Sequence, residues 1–130
     1  MDTNILIHAV ESKPHDPRKQ KIARQIVLAE VFGVSAQTVA EFVNVTSKAR
    51  ISLPDHEIAQ WIEYLSAMPF TVLDADIVRR GFWFKQRYQI QYFDGALLAA
   101  AERLGCGIFY SEDLNHQQHY GDVTAINPYR

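Results

Sequence analysis

The chain is poor in cysteine, in long apolar runs and in surplus positive charge, and each shortage closes off a class of protein. Its one cysteine, Cys106, has no intrachain partner for a disulfide and cannot by itself build a thiolate metal site. That usage suits a reducing compartment, and the expected location is the cytoplasm. No apolar run approaches the ~20 residues that a bilayer-crossing helix needs. Met1-Asp2-Thr3 offers no basic stretch followed by an apolar one, so no secretory signal is expected. A net charge of −2 is not that of a protein that grips nucleic acid by bulk charge, so any such grip must be local or supplied by a metal. What remains is ordinary: 130 residues, 48% hydrophobic and 22% charged, which is enough for one buried core. A single domain over residues 1–130 is expected.

Turn and cap signals divide the chain. A helix is expected to begin at Asp2. Glu11 to Pro17 reads as a loop, and Asp16-Pro17 as an N-cap with proline at the first helical position, opening a helix with Ile22, Ile26 and Ala29 on its apolar side. Phe32 to Val34 reads as a strand and Ser35 as the cap of a helix to about Lys48. Pro54-Asp55 opens a helix with Ile58, Trp61, Ile62 and Leu65 as its stripe. Phe70 to Leu73 is a strand, and Asp74 or Asp76 caps a helix to about Arg87. A helix over Tyr92 to Leu104 carries alanines at 96, 99, 100 and 101 that permit close packing, and Gly105 ends it. Ile108–Tyr110 and Val123–Ile126 are the last strands. Short strands separated by helices predict an α/β fold, with ligands at the carboxyl ends of the strands.

Four of the 15 acidic residues stand apart from the solvated default. Asp2 precedes the apolar Ile5-Leu6-Ile7, and Glu41 sits within Val39-Ala40-Glu41-Phe42-Val43. Asp94 lies between Tyr92-Phe93 and Gly95-Ala96-Leu97-Leu98, and Asp113 follows the strand Ile108–Tyr110. Taken singly, each has a bland reading as a helix cap, a turn former or a surface acid. Together they share apolar flanks and a predicted sheet edge or helix N-terminus. Converging carboxylates repel one another and are tolerated when a divalent cation neutralises them. Ligands that are all oxygen favour Mg²⁺, with Mn²⁺ as the alternative, and phosphodiester hydrolysis is the chemistry that follows.

These stretches also carry a resemblance. Asp2-Thr3-Asn4-Ile5-Leu6-Ile7, Ala40-Glu41-Phe42, Phe93-Asp94-Gly95-Ala96-Leu97-Leu98 and Ser111-Glu112-Asp113-Leu114-Asn115 occur in the order found in PIN domains, and the chain most closely resembles the VapC-type toxins of bacterial toxin–antitoxin pairs. The resemblance implies a three-layer α/β fold with a short, mostly parallel sheet flanked by helices, and a metal-dependent endoribonuclease. It makes Asp2 and Asp94 the principal metal ligands, with Glu41 and Asp113 completing the cluster directly or through water. Asn4 would orient Asp2, and Ser111 would lie at the edge of the site. It further implies a small antitoxin that blocks the site, and a homodimer. Members carry a short apolar strand before the first Asp, whereas Met1 alone precedes Asp2 here. The first strand is therefore expected to be truncated, with its residues upstream of Met1 or replaced by another segment, and Asp2 to be the least well anchored ligand.

Arg79, Arg80, Lys85 and Arg87 interleave with Phe82, Trp83, Phe84, Tyr88 and Tyr92, with no acid from Ile77 to Phe93. That pattern suits single-stranded RNA, through phosphate pairing and base stacking, and equally suits an amphipathic helix with buried aromatics. His116 and His119 share a helical spacing but lack a third nitrogen or sulfur ligand, so a structural role is expected. His8 is expected near Asp2, and Cys106 in a turn. The competing function is a catalytically impaired PIN-like module that only docks an antitoxin or another partner. A phosphatase-like hydrolase is disfavoured by the lack of a phosphate-cradling glycine loop.

Overall fold

A computed structural model describes residues 1–48 and 51–130. Helix α1 spans Thr3–Val10 and buries Ile5, Leu6, Ile7 and Ala9. Helix α2, Pro17–Ala29, begins as its sequence predicts: the Asp16 carboxylate accepts from the backbone N–H groups of Arg18 and Lys19, and Pro17 fills the first turn. Its buried face is Ala23, Ile26 and Val27, whereas Ala29 is exposed. The expected stripe was thus turned by about one residue at its C-terminal end. Strand β1, Val34–Ser35, leads into α3, Ala36–Thr46, whose N-cap Ser35 hydroxyl accepts from the Thr38 N–H. Helix α4, Asp55–Ser66, precedes β2, Phe70–Thr71. Helix α5, Ala75–Tyr88, is capped by Asp74 rather than Asp76.

Helix α6, Tyr92–Arg103, ends at Gly105, whose φ of +73° is the left-handed conformation that glycine adopts freely. The Gly105 N–H donates to the Glu102 carbonyl and the Cys106 N–H to the Ala101 carbonyl, which closes the helix with a Schellman pair of bonds. Strands β3 (Ile108–Tyr110), β4 (His119–Tyr120) and β5 (Val123–Ile126) complete the chain. No strand is expected from the sequence at His119–Tyr120. Strand β4 is half of a hairpin whose two-residue link is Gly121-Asp122, with Gly121 at φ +60°.

The strands form two sheets. β1 pairs with β2 in parallel, and β3 pairs in parallel with β5, which also takes β4 antiparallel. No described strand lies between β1 and β3, and a cleft of about 470 Å³ separates them, lined among others by Met1, Val34, Ile108, Tyr110 and Cys106. Ahead of α1, the Asp2 N–H donates to the Tyr110 carbonyl of β3 at 2.9 Å. This cleft is where the short apolar strand that the resemblance implies ahead of Asp2 would lie.

Two apolar clusters fill the interior. One joins α1, α2, α3 and β1 through Ile5, Leu6, Val27, Val34 and Phe42. The other joins α5, α6, β3 and β5 through Phe84, Leu98, Phe109 and Val123. Helices α5 and α6 cross backbone to backbone at Gly81 and Gly95: a Cβ on Gly81 would stand 2.8 Å from the Ala96 Cα. No described helix is long and apolar enough to cross a membrane.

Candidate metal centre

Asp2 occupies the N-cap position of α1, yet its carboxylate accepts no bond from the N–H groups of that helix. It faces the carboxyl end of β3 instead, where the Ser111 hydroxyl donates to Asp2 Oδ2 at 3.2 Å. The same Ser111 oxygen accepts from the Asp113 N–H at 3.0 Å. One buried hydroxyl therefore ties the start of α1 to the loop after β3. Asp94 is in the first turn of α6, beside Gly95 and so at the close crossing with α5. The cap of that helix is Gln91, not Asp94.

Asp2, Asp94 and Asp113 each offer a carboxylate oxygen, and the three oxygens lie within 4.8 Å of one another. Burial falls across the set: Asp2 is buried, Asp94 half-buried and Asp113 exposed, so the cluster opens to solvent on one side. Burial is the main force that raises the Asp2 carboxyl to about 7; the hydrogen bond and charge of Asp113, and the charge of Asp94, add to it against the Ser111 hydrogen bond. Asp94 is also raised, by burial first and then by the charges of Asp113 and Glu41. The donor set is all oxygen and its negative charge is held at a cost, which fits a hard divalent cation such as Mg²⁺ or Mn²⁺.

Glu41 lies outside this three-oxygen set. Its carboxylate accepts from the Thr3 hydroxyl at 2.8 Å and from the Gln37 amide at 3.1 Å. The Gln37 amide also reaches the Phe93 carbonyl at 3.4 Å, which couples α3 to the start of α6. Sequence reasoning singled out neither Thr3 nor Gln37. The signals were the helical i, i+4 spacing of Gln37 and Glu41, and the placement of Thr3 directly after Asp2. Asn4 is exposed on α1, and no hydrogen bond joins it to Asp2 among the described residues; the bond that orients Asp2 comes from Ser111.

The basic residues of α5 are only partly free. Arg80 makes a two-pronged bond to Glu102, both contacts at 2.9 Å, and lies over the Trp83 ring. Arg79 pairs with Asp76 at the exposed surface. Lys85 and Arg87 are exposed, with Arg87 over the Tyr88 ring. Phe84 is buried, as expected of an amphipathic helix with core aromatics, while Phe82 and Trp83 are exposed. His116 accepts from the Asn127 N–H and His119 bonds Thr124, the structural roles expected of them. His8 lies 2.8 Å from Glu112, which Lys19 also contacts at 2.6 Å. Burial alone would raise the Glu112 carboxyl, but hydrogen bonds from Lys19 and His8 outweigh it and hold the group below its ordinary range.

Beside Asp94 and Asp113 lies a cleft of about 670 Å³, bounded by the end of α5, the α5–α6 link and the loop after β3. Against known proteins, the family model for the PIN domain matches residues 1–122. No curated protein matches the chain.

Proposed function

Because the chain belongs to the PIN-domain family, whose members are generally metal-dependent nucleases, we propose that it is a Mg²⁺- or Mn²⁺-dependent endoribonuclease. The observation that carries this reading is the convergence of Asp2, Asp94 and Asp113 within 4.8 Å, with Asp2 buried and its carboxyl raised to about 7. Like charges are not packed this way for stability, and a divalent cation removes the repulsion.

Asp2, Asp94 and Asp113 would hold the ion. When bound, it supplies positive charge to the phosphodiester and acidity to water. Ser111 keeps Asp2 turned toward the cluster and away from the α1 backbone. Glu41, fixed on both oxygens by Thr3 and Gln37, holds an acceptor beside Asp94, where a water proton can be taken up. Asp113, at the exposed rim, is the carboxylate that substrate would meet first. Lys85 and Arg87, exposed toward the end of α5, and Arg79, exposed nearer its start, would be the cations that meet an RNA backbone.

The order of the motifs around Asp2, Glu41, Asp94 and Asp113 supports the narrower assignment, the toxin of a toxin–antitoxin pair that dimerises and is silenced by a small protein inserted at the acidic site. The test is cleavage of several single-stranded RNAs by wild type with Mg²⁺, with chelator, and by Asp94→Asn. Metal-dependent cutting that drops at least about a hundredfold in Asp94→Asn is the expected result. Undiminished cutting by the variant refutes the site, and no cutting by a folded wild type favours a module that only docks a partner.

A further inference from the structure

The cleft beside the carboxylates has a lining that phosphate chemistry does not explain. Its wall includes Tyr88, Gln89, Gln91 and Asn115 together with Asp94 and Asp113, and it contains no lysine, arginine or histidine. A phosphate seated there would meet two carboxylates and no cation. Neutral amides and a phenol are instead the groups that pair with a neutral, flat, hydrogen-bonding ligand. The amides are not all consumed by the fold. Asn115 donates to Gln118, which also accepts from the Tyr120 hydroxyl, and this fixes that wall. The Gln89 amide folds back onto the Gln86 carbonyl, with its own backbone held at φ 56°. Gln91 differs: it stands at the N-cap of α6, yet its side chain makes no capping bond and has no hydrogen-bond partner among the described residues.

We propose that this cleft seats one nucleobase, that of the nucleotide next to the scissile phosphate, and that Gln91 reads its edge. The proposal rests on the nuclease reading above. A carboxamide offers a donor and an acceptor side by side, the pattern the Watson–Crick edge of every base presents, and in single-stranded RNA that edge is free to be read. Tyr88 supplies part of an aromatic wall and is itself locked, since its hydroxyl accepts from the Gly121 N–H at 2.7 Å and its ring stacks on Phe84. Asp94 and Asp113 belong both to the cleft's lining and to the acidic cluster, so a base held in the cleft has its adjoining phosphate within reach of the carboxylates.

Two measurements test this. In the first, a single-stranded RNA pool is cut with Mg²⁺ and the ends are sequenced. Wild type is expected to prefer particular bases at one position beside the cut, and Gln91→Ala to flatten that preference by about tenfold while metal-dependent cutting continues. Gln86→Ala, exposed on α5 outside the cleft, is expected to keep the wild-type pattern. In the second, isotope-labelled protein in chelator is titrated with adenosine, guanosine, cytidine and uridine, which carry no phosphate. Base-dependent shifts at the Gln91 amide and Tyr88 are expected, and a protein that shows them without cutting RNA keeps the subsite and loses the nuclease reading. Metal-dependent cutting with no base preference, or with the same preference in Gln91→Ala, overturns the subsite and leaves the nuclease.

Discussion

Asp2→Asn is expected to make the metal-free protein more stable at pH 8 while removing its ability to cut. The Asp2 carboxyl rises from 3.8 to about 7 on folding, chiefly through burial. A folded value above the unfolded one means that the folded chain holds the extra proton between those limits. The stability this gives is complete below 3.8 and is lost as pH rises through about 7. At about 1.4 kcal/mol per pH unit, the ionised Asp2 costs the metal-free fold about 4 kcal/mol at pH 8. Asparagine has no charge to bury, and its amide oxygen still accepts from Ser111. In chelator at pH 8 the variant should therefore melt about 10 °C above wild type, a gain of about 2–4 kcal/mol spread over a chain of this size. As pH falls the gap should narrow, to about 2 kcal/mol at pH 5, and close only below 3.8, where Asp2 is protonated in the folded and the unfolded chain alike. Adding Mg²⁺ should raise the melting temperature of wild type and leave the variant where it was. Differential scanning fluorimetry over pH, with and without the ion, reads all of this. A variant no more stable than wild type at pH 8 in chelator would refute the idea that Asp2 is held ionised at a cost.

Two further outcomes follow from the packing. Gly95→Ala would drive a Cβ onto the Gly81 carbonyl oxygen, which belongs to helix backbone and cannot swing aside; a loss of about 3 kcal/mol in urea unfolding is expected, against a gain of about 1 from helix propensity alone. An extended segment of valine and isoleucine fused ahead of Met1 should enter the cleft between β1 and β3, raise the melting temperature and slow the reaction of Cys106 with a thiol reagent, whereas a Gly-Ser segment of equal length should do neither. Equal Cys106 rates for the two fusions would show that the cleft does not accept a strand.

The caps were legible because their chemistry is local. Asp16, Ser35 and Asp74 each satisfy an N–H within three residues, and Gly105 supplies the one positive φ that ends α6. The acids were legible as outliers in apolar sequence, and three of them meet. What stayed hidden depends on packing between distant segments. Thr3 reaches Glu41 across 38 positions, and the Ser111 hydroxyl, not Asn4, takes hold of Asp2. Asp2 reads locally as a cap, and only the arrival of β3 shows why its carboxylate turns away from α1. The hairpin of β4 and β5 carried a short-range signal in Gly121-Asp122, but two strand residues are too few to announce a period.

Ser111 and Asp2 lie 109 residues apart, and Asp113 lies further still. During synthesis, then, the emerging chain carries Asp2 and later Asp94 but no complete acidic cluster, because the hydroxyl that orients Asp2 is made 109 residues after it and the third carboxylate later still. A nuclease born on a ribosome is surrounded by RNA from its first residue. Here the chain order itself delays assembly of the site: no partial product that stops short of Asp113 carries the three converging carboxylates.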